Sequence, residues 1–208
     1  MKKFLAAIAA SLAVFGASTT FAAVSFNDVP TDHWASNAVY SLAADGIVSP
    51  DEQGNFNGNK NATRYQVAVL LDNFVRSHHY SVDVTNSNPF ADVPEKHWAR
   101  SAVINMASAG IIEGFPDVTY RGNRNITRYE LAKMLDNLLR TASKISDESA
   151  PNPYSDISET SPAYDAVCRM AREKLMEGYG DNTFRGNKNI TRYELALILD
   201  KINSRYYS

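Results

Sequence analysis

The stretch GNKNITRYELA, from Gly186 to Ala196, occurs twice more in nearly the same words: GNRNITRYELA over Gly122 to Ala132 and GNKNATRYQVA over Gly58 to Ala68. Each copy begins 64 residues after the one before it. A fixed period of this length marks a repeat architecture, in which each unit buries its apolar face against its neighbours. Outward from the shared stretch the correspondence continues without a net gap. Phe26, Phe90 and Tyr154 coincide, followed by Asp28, Asp92 and Asp156; His33-Trp34 coincides with His97-Trp98; Phe56, Tyr120 and Phe184 coincide. Two polar connections, 76–88 and 140–152, separate the units. The boundaries expected are a leader over 1–22 and repeats over 23–78, 87–141 and 151–208.

Each unit reads as helix, loop, helix. Trp98, Ala102, Val103, Met106 and Ala107 share one helical face, as do Trp34, Ala38 and Leu42 in the first unit. Gly110 and Gly46 suit the left-handed residue that ends such a helix. The following IIEGFPDVTYRGNRN has turn residues at almost every other place and no period, so it is a loop. The second helix starts inside the shared stretch. Thr127 with Glu130, Thr191 with Glu194 and Thr63 with Gln66 form capping boxes. Leu131, Ala132, Leu135, Leu138 and Leu139 then make an apolar stripe. A unit of this size falls below the ~70–80 residues at which one core suffices. The expected fold is therefore mainly α: three helix–loop–helix repeats packed as a pseudo-three-fold helical bundle, a closed arrangement that hides more apolar surface than an open row.

Arg64, Arg128 and Arg192 occupy the first position of the second helix, the wrong end of the dipole for a cation. Two readings stand side by side. The guanidinium, the free N–H groups and the helix dipole can form a receptor for a carboxylate or phosphate. Alternatively each Arg pairs with Asp28, Asp92 or Asp156. The receptor reading makes Arg128→Ala weaken ligand binding while barely changing the melting temperature. Trp34 and Trp98 open the apolar stripe and are expected in the core, although a Trp at a helix start can leave one face for a sugar. The third unit has Ser161-Pro162 there and nothing that stacks.

Composition narrows the function classes. Lys2 and Lys3, the apolar run from Phe4 to Phe15 and the small residues up to Ala22 form a secretory signal peptide, so the protein is expected to be exported and to reside in the cell envelope, periplasmic or wall-associated. The run is shorter than the ~20 residues that span a bilayer. Without Lys2 and Lys3, 19 basic residues face 23 acidic ones, which excludes a nucleic-acid surface. Cys168 is alone, so no internal disulfide or thiolate cage forms. No nucleophile–base pair, metal-ligand set or phosphate loop appears; no catalytic residue, metal or cofactor is expected.

The motifs F-x-D-V (Phe26 to Val29, Phe90 to Val93), H-W-A (His33 to Ala35, His97 to Ala99), G-I (Gly46-Ile47, Gly110-Ile111) and I-T-R-x-E resemble the S-layer homology (SLH) domain family. The resemblance covers the chain from about Phe26 to its end. It implies a non-catalytic module that holds an exported protein to cell-wall carbohydrate through grooves between repeats, often on a polymer with an acidic pyruvyl ketal. It also implies that Arg64, Arg128 and Arg192 stand at three grooves, with Trp34 and Trp98 flanking two. The usual family form has Ala after the Arg, whereas here Tyr65, Tyr129 and Tyr193 follow it. The TRYE form is similar to outer-membrane anchoring proteins of two-membrane bacteria, which grip peptidoglycan, in some cases through attached polyamines. That similarity makes Glu130, Glu194, Asp117 and Asp181 candidate ammonium partners beside Tyr129 and Tyr193. Gln66 and Gln53 then leave the first unit the weakest cation site, and Lys174-Leu175 in place of Gly-Ile makes the third unit differ. The alternative is a structural subunit of a surface layer or envelope complex that binds another protein.

Overall fold

The computed structural model describes residues 24–79 and 87–207. The signal-peptide expectation lies outside them. Six helices follow in order: α1 (Ser36–Ala44), α2 (Arg64–Ser77), α3 (Arg100–Ser108), α4 (Arg128–Thr141), α5 (Tyr164–Arg172) and α6 (Arg192–Tyr206). Among the described residues there is no strand, only isolated bridges. No helix there is long and apolar enough to cross a membrane.

Local chemistry starts and stops these helices. In all three capping boxes the Thr hydroxyl accepts from the backbone N–H of Gln66, Glu130 or Glu194, and that residue's side chain accepts from the Thr N–H. The short helices end in a left-handed turn. Gly46 N–H donates to Ala43 O and Ile47 N–H to Leu42 O; Gly110 and Ile111 repeat the pattern on Ala107 and Met106. Such paired bonds satisfy the last carbonyls and turn an apolar residue back onto the helix. Ile47, Ile111 and Leu175 are accordingly buried. The third unit keeps the geometry with Lys174 at a φ of 53°, on Ala171 and Met170. Its departure from Gly-Ile changes the residue and not the turn.

The helices pair across repeats. α2 packs on α3, α4 on α5, and α6 returns to α1. Within a unit the first and second helices do not pack on each other, so the sequence repeat is not the packing unit. At the centre Ala62 N–H donates to Ile190 O (2.9 Å), Ile190 N–H to Ile126 O (3.2 Å) and Ile126 N–H to Ala62 O (2.9 Å). All three residues are fully buried. This triangle of backbone bonds closes the pseudo-three-fold bundle, and one apolar core runs through it. Buried polar pairs tie the helix pairs: Asp136 takes both arms of Arg169 at 2.7 Å, and Asp72 accepts from Asn105 at 2.9 Å. Cys168 is buried, and burial pushes its thiol up, as an inert core residue requires.

Among the side chains in left-handed backbone, Val118 at a φ of 62° stands where the first repeat has Gly54, and Lys174 stands where the other repeats have Gly46 and Gly110. The β-branched Val118 crowds its own carbonyl there, a cost of roughly 1–2 kcal/mol. Val118→Gly and Lys174→Gly are each expected to raise stability by about 1 kcal/mol in denaturant melts. A fall in the midpoint for both would contradict the backbone geometry.

Candidate functional site: the joints and grooves between repeats

The shared stretch lies where repeats meet, and its residues serve the neighbouring unit. The N–H groups of Arg64 and Tyr65 donate to Arg124 O and Gly122 O; those of Arg128 and Tyr129 donate to Lys188 O and Gly186 O; those of Arg192 and Tyr193 close the ring on Lys60 O and Gly58 O. The helix N-termini are therefore occupied, and the expectation of free N–H groups for an anion is corrected. Each Tyr ring lies flat over the glycine whose carbonyl it caps. A Cβ at Gly58, Gly122 or Gly186 would stand 2.0–2.3 Å from the rings of Tyr193, Tyr65 or Tyr129. The Tyr hydroxyls donate to the carbonyls of Asp92 (Tyr65), Asp156 (Tyr129) and Asp28 (Tyr193). Tyr after the Arg is thus one half of a lock, with glycine as the other half.

The arginines do not pair with Asp28, Asp92 or Asp156, as one reading expected. They clamp the same residues from the opposite side. Asp92 accepts from the N–H groups of Tyr120 and Arg121, while Arg64 Nε donates to Tyr120 O at 2.9 Å and Nη2 to Glu113 O at 2.7 Å. Asp156 accepts from Phe184 and Arg185; Arg128 donates to Phe184 O at 2.8 Å and Glu177 O at 2.7 Å. Asp28 accepts from Phe56 and Asn57, and Arg192 Nε donates to Phe56 O at 2.8 Å. Each guanidinium also covers the ring of the residue it clamps, at 4.4–4.7 Å. Burial pushes Arg64 and Arg192 below the usual arginine range. The price of burying a cation is offset by charged hydrogen bonds and the aromatic faces.

Arg64 and Arg192 also line surface grooves. One, of about 450 Å³, lies between Arg64 and the second repeat and is lined by Glu113, Phe115, Glu130 and Lys133. Here Glu130 Oε1 stands 3.3 Å from Arg64 and is also paired with Arg124. On the first repeat, two adjoining hollows of about 520 and 560 Å³ share Arg192, Gln66 and Ser49. Trp98 lines one of them; Asp51 and Lys60 line the other.

The tryptophans are surface residues, 61% and 64% exposed, which corrects the expectation of a core position. The helices start at Ser36 and Arg100, so Trp34 and Trp98 precede them, and the buried residues are Ala35 and Ala99. Each Trp belongs to an aromatic triad: Trp34 with His33 and Tyr193, Trp98 with His97 and Tyr65. His33 and His97, which open the H-W-A motif but were not among the candidate site residues, accept from the N–H of Ala35 and Ala99 through Nδ1. Their Nε2 atoms are thereby the protonated ones.

The candidate carboxylates carry internal cations. Asp117 accepts from Thr119 and pairs with Arg121 at 2.8 Å, and Asp181 does the same with Thr183 and Arg185 at 2.9 Å. The Thr hydroxyl first, and the Arg second, hold each Asp down to about 2. A depressed carboxylate of this kind keeps its loop clasp above the ordinary range and loses it only as pH falls towards 2. Glu194 caps α6 and pairs with Lys188 at 3.4 Å.

Because Arg128 is bound by two carbonyls in the next repeat, Arg128→Ala is expected to cost about 3 kcal/mol, read as a lower melting temperature. This reverses the unchanged melting temperature that the receptor reading implied. Arg128→Lys, which cannot reproduce the fork, is expected to lose most of the same stability. Full retention of stability in both variants would show that the clamp contributes nothing.

The S-layer homology domain model matches residues 25–68, 89–132 and 153–196, each match ending just inside the second helix of its repeat. Outer membrane protein SlpA of Thermus thermophilus is 55% identical over 51 residues, which is 24% of this chain and 6% of that protein. The surface-layer 125 kDa protein of Lysinibacillus sphaericus is 27% identical over 206 residues, 96% of this chain and 17% of that one. The cellulosome-anchoring protein of Acetivibrio thermocellus is 26% identical over 148 residues, 71% of this chain and 33% of that one. The chain thus spans a third or less of each relative. With three matched segments on three symmetry-related joints, it belongs to the S-layer homology domain family.

Proposed function

We propose that this chain is a non-catalytic module that binds cell-wall carbohydrate, peptidoglycan or a wall-linked acidic polysaccharide, through the grooves between its repeats. The observation that carries this reading is the meeting of Trp98 and Arg192 in one groove. An exposed indole offers a face to a sugar ring, and a guanidinium offers paired donors to an acidic group. Trp34 beside Tyr193 gives a second such platform, while Pro162 leaves the third unit without one. Surface-layer and anchoring relatives support the same role in the cell envelope.

In this proposal Arg64 and Arg192 have two duties, since each clamps the next repeat and lines a groove, and Arg128, which makes the same clamp, is assigned the equivalent place on the third repeat. Tyr193 stands beside the exposed Trp34, and Tyr129 takes the equivalent place over Gly186. Glu130, Glu194, Asp117 and Asp181, each already on an internal cation, hold loops and caps in place. In this reading the sequence over 1–22 acts as a leader that takes the chain into the envelope.

Co-sedimentation of the mature protein with purified sacculi tests the proposal. Saturable binding is expected, and Trp98→Ala is expected to weaken it by roughly 1–3 kcal/mol, the scale of one aromatic contact. Binding lost after hydrofluoric acid treatment identifies an attached polymer; binding retained identifies peptidoglycan. Failure to sediment with either would overturn the wall reading and favour the protein-binding alternative.

A further inference from the structure

The joint between the third and first repeats pairs helices from opposite ends of the described chain, α6 and α1. The other two helix pairs carry polar ties, Asp72 with Asn105 and Asp136 with Arg169. Asp200 and Ser41 stand at the equivalent places of α6 and α1, and among the described residues no hydrogen bond joins them. A different tie holds this seam, at the C-terminal end of α6. His78, which follows α2, faces Phe74 O through Nδ1 and Asn203 Oδ1 through Nε2, each at 2.7 Å. Asn203 in turn donates through Nδ2 to Oδ2 of Asp45, the residue that follows α1, also at 2.7 Å. The counterparts of His78 in the other repeats are Ala142 and Tyr206, so the chain of contacts belongs to this joint alone.

The pattern fixes where the protons are. A carbonyl oxygen only accepts, so Nδ1 carries a hydrogen for Phe74. The Asp45 carboxylate takes the Asn203 NH2 group, which turns the amide oxygen towards His78. That oxygen also only accepts, so Nε2 carries a hydrogen too, and the ring is an imidazolium. Its place suits a cation, since the C-terminus of α2 carries the negative end of the helix dipole. The ring packs on Phe74 and Tyr207, with centroids 4.5 and 4.1 Å away. The other charges of the surrounding elements are engaged elsewhere: Arg76 pairs with Asp72, Arg205 with Glu173, and Lys144 lies 4.7 Å over the Tyr207 ring. His79, next in the chain, is exposed. A hollow of about 680 Å³ lined by Asp45, Ser77, His78, Asn203 and Tyr207 gives a released proton a way to water.

We propose that His78, Asn203 and Asp45 form a proton-operated latch on the last helix, closed while both ring nitrogens of His78 carry hydrogens. When Nε2 loses its hydrogen, two lone pairs face each other, and Asn203 can keep His78 or Asp45 but not both. The end of α6 is then released from α2 or from α1. Because the native state holds this proton and the unfolded chain gives it up, the latch contributes fully at acid pH and its contribution is lost as pH rises. The latch works whether or not the grooves bind wall carbohydrate.

His78→Gln keeps a donor towards Asn203 and removes the titrating group. Melting temperatures of both proteins are compared at about pH 5.5 and about pH 8.5, either side of the range in which histidine changes charge. His33, His79 and His97 titrate in both proteins, so the difference between them isolates His78. The wild type is expected to lose about 3 °C more than His78→Gln between the two conditions. Equal losses, or a larger loss in the variant, would overturn the proposal. Two measurements on the wild type decide it even if the variant fails to fold. Nitrogen NMR of the imidazole is expected to show hydrogens on both ring nitrogens of His78 at neutral pH; one hydrogen alone would overturn the latch. Exchange protection of the Asn203, Arg205 and Tyr206 amides, corrected for the chemical pH dependence of exchange, is expected to fall by about tenfold over the same rise in pH. Unchanged protection there would also overturn it.

Discussion

The structure depends on a triangle of three backbone hydrogen bonds, from Ala62 to Ile190, Ile190 to Ile126 and Ile126 to Ala62. Each residue stands directly before the Thr that caps a second helix. Closing the triangle therefore fixes where three helices begin and in which direction they leave the axis. The arginine clamp follows two residues later and the tyrosine lock one residue after that. The outward faces of the same helices must then be covered by the first helix of the next unit. A repeat too small to hold a core becomes stable because every part of its joint is completed by a neighbour.

This arrangement changes what the conserved-looking motif words mean within the chain. F-x-D supplies a carboxylate that takes two consecutive N–H groups, made available because Asn57, Arg121 and Arg185 adopt left-handed φ values of 54–57°. The aromatic before each of these residues is held between that Asp and an Arg from the preceding unit. G-N-x-N supplies the carbonyls that cap the neighbour's helix and the bare glycine on which its Tyr rests. One assembly thus accounts for four motif positions that lie far apart in the chain. The grooves are by-products of the same joint, since a clamp reaching across a repeat boundary leaves its outer face at the surface.

Much of this was legible in the sequence, in proportion to how local the chemistry is. The capping boxes read correctly because both partners lie three residues apart. The helix ends at Gly46 and Gly110 read correctly because a left-handed turn favours glycine. Closure of the bundle followed from counting a core too small to stand alone. The arginines were misjudged because their partners are carbonyls 49 and 56 residues away for Arg64 and Arg128 and 136 residues away for Arg192, and a carbonyl leaves no mark in the amino-acid alphabet. A signal was present nonetheless: glycine and tyrosine recur together in all three units, as a close contact between them requires. Trp34 and Trp98 were misplaced because the apolar stripe was extended back beyond the true helix starts.

Native-state hydrogen exchange at the amides of Ala62, Ile126 and Ile190 tests the central claim, that the three repeats are one closed unit held at its axis. The account predicts that all three exchange only through global unfolding, with the same free energy and the same denaturant dependence. Exchange of any one of them through a smaller, local opening would show that the ring is not closed at that joint and that the repeats stand more independently than described.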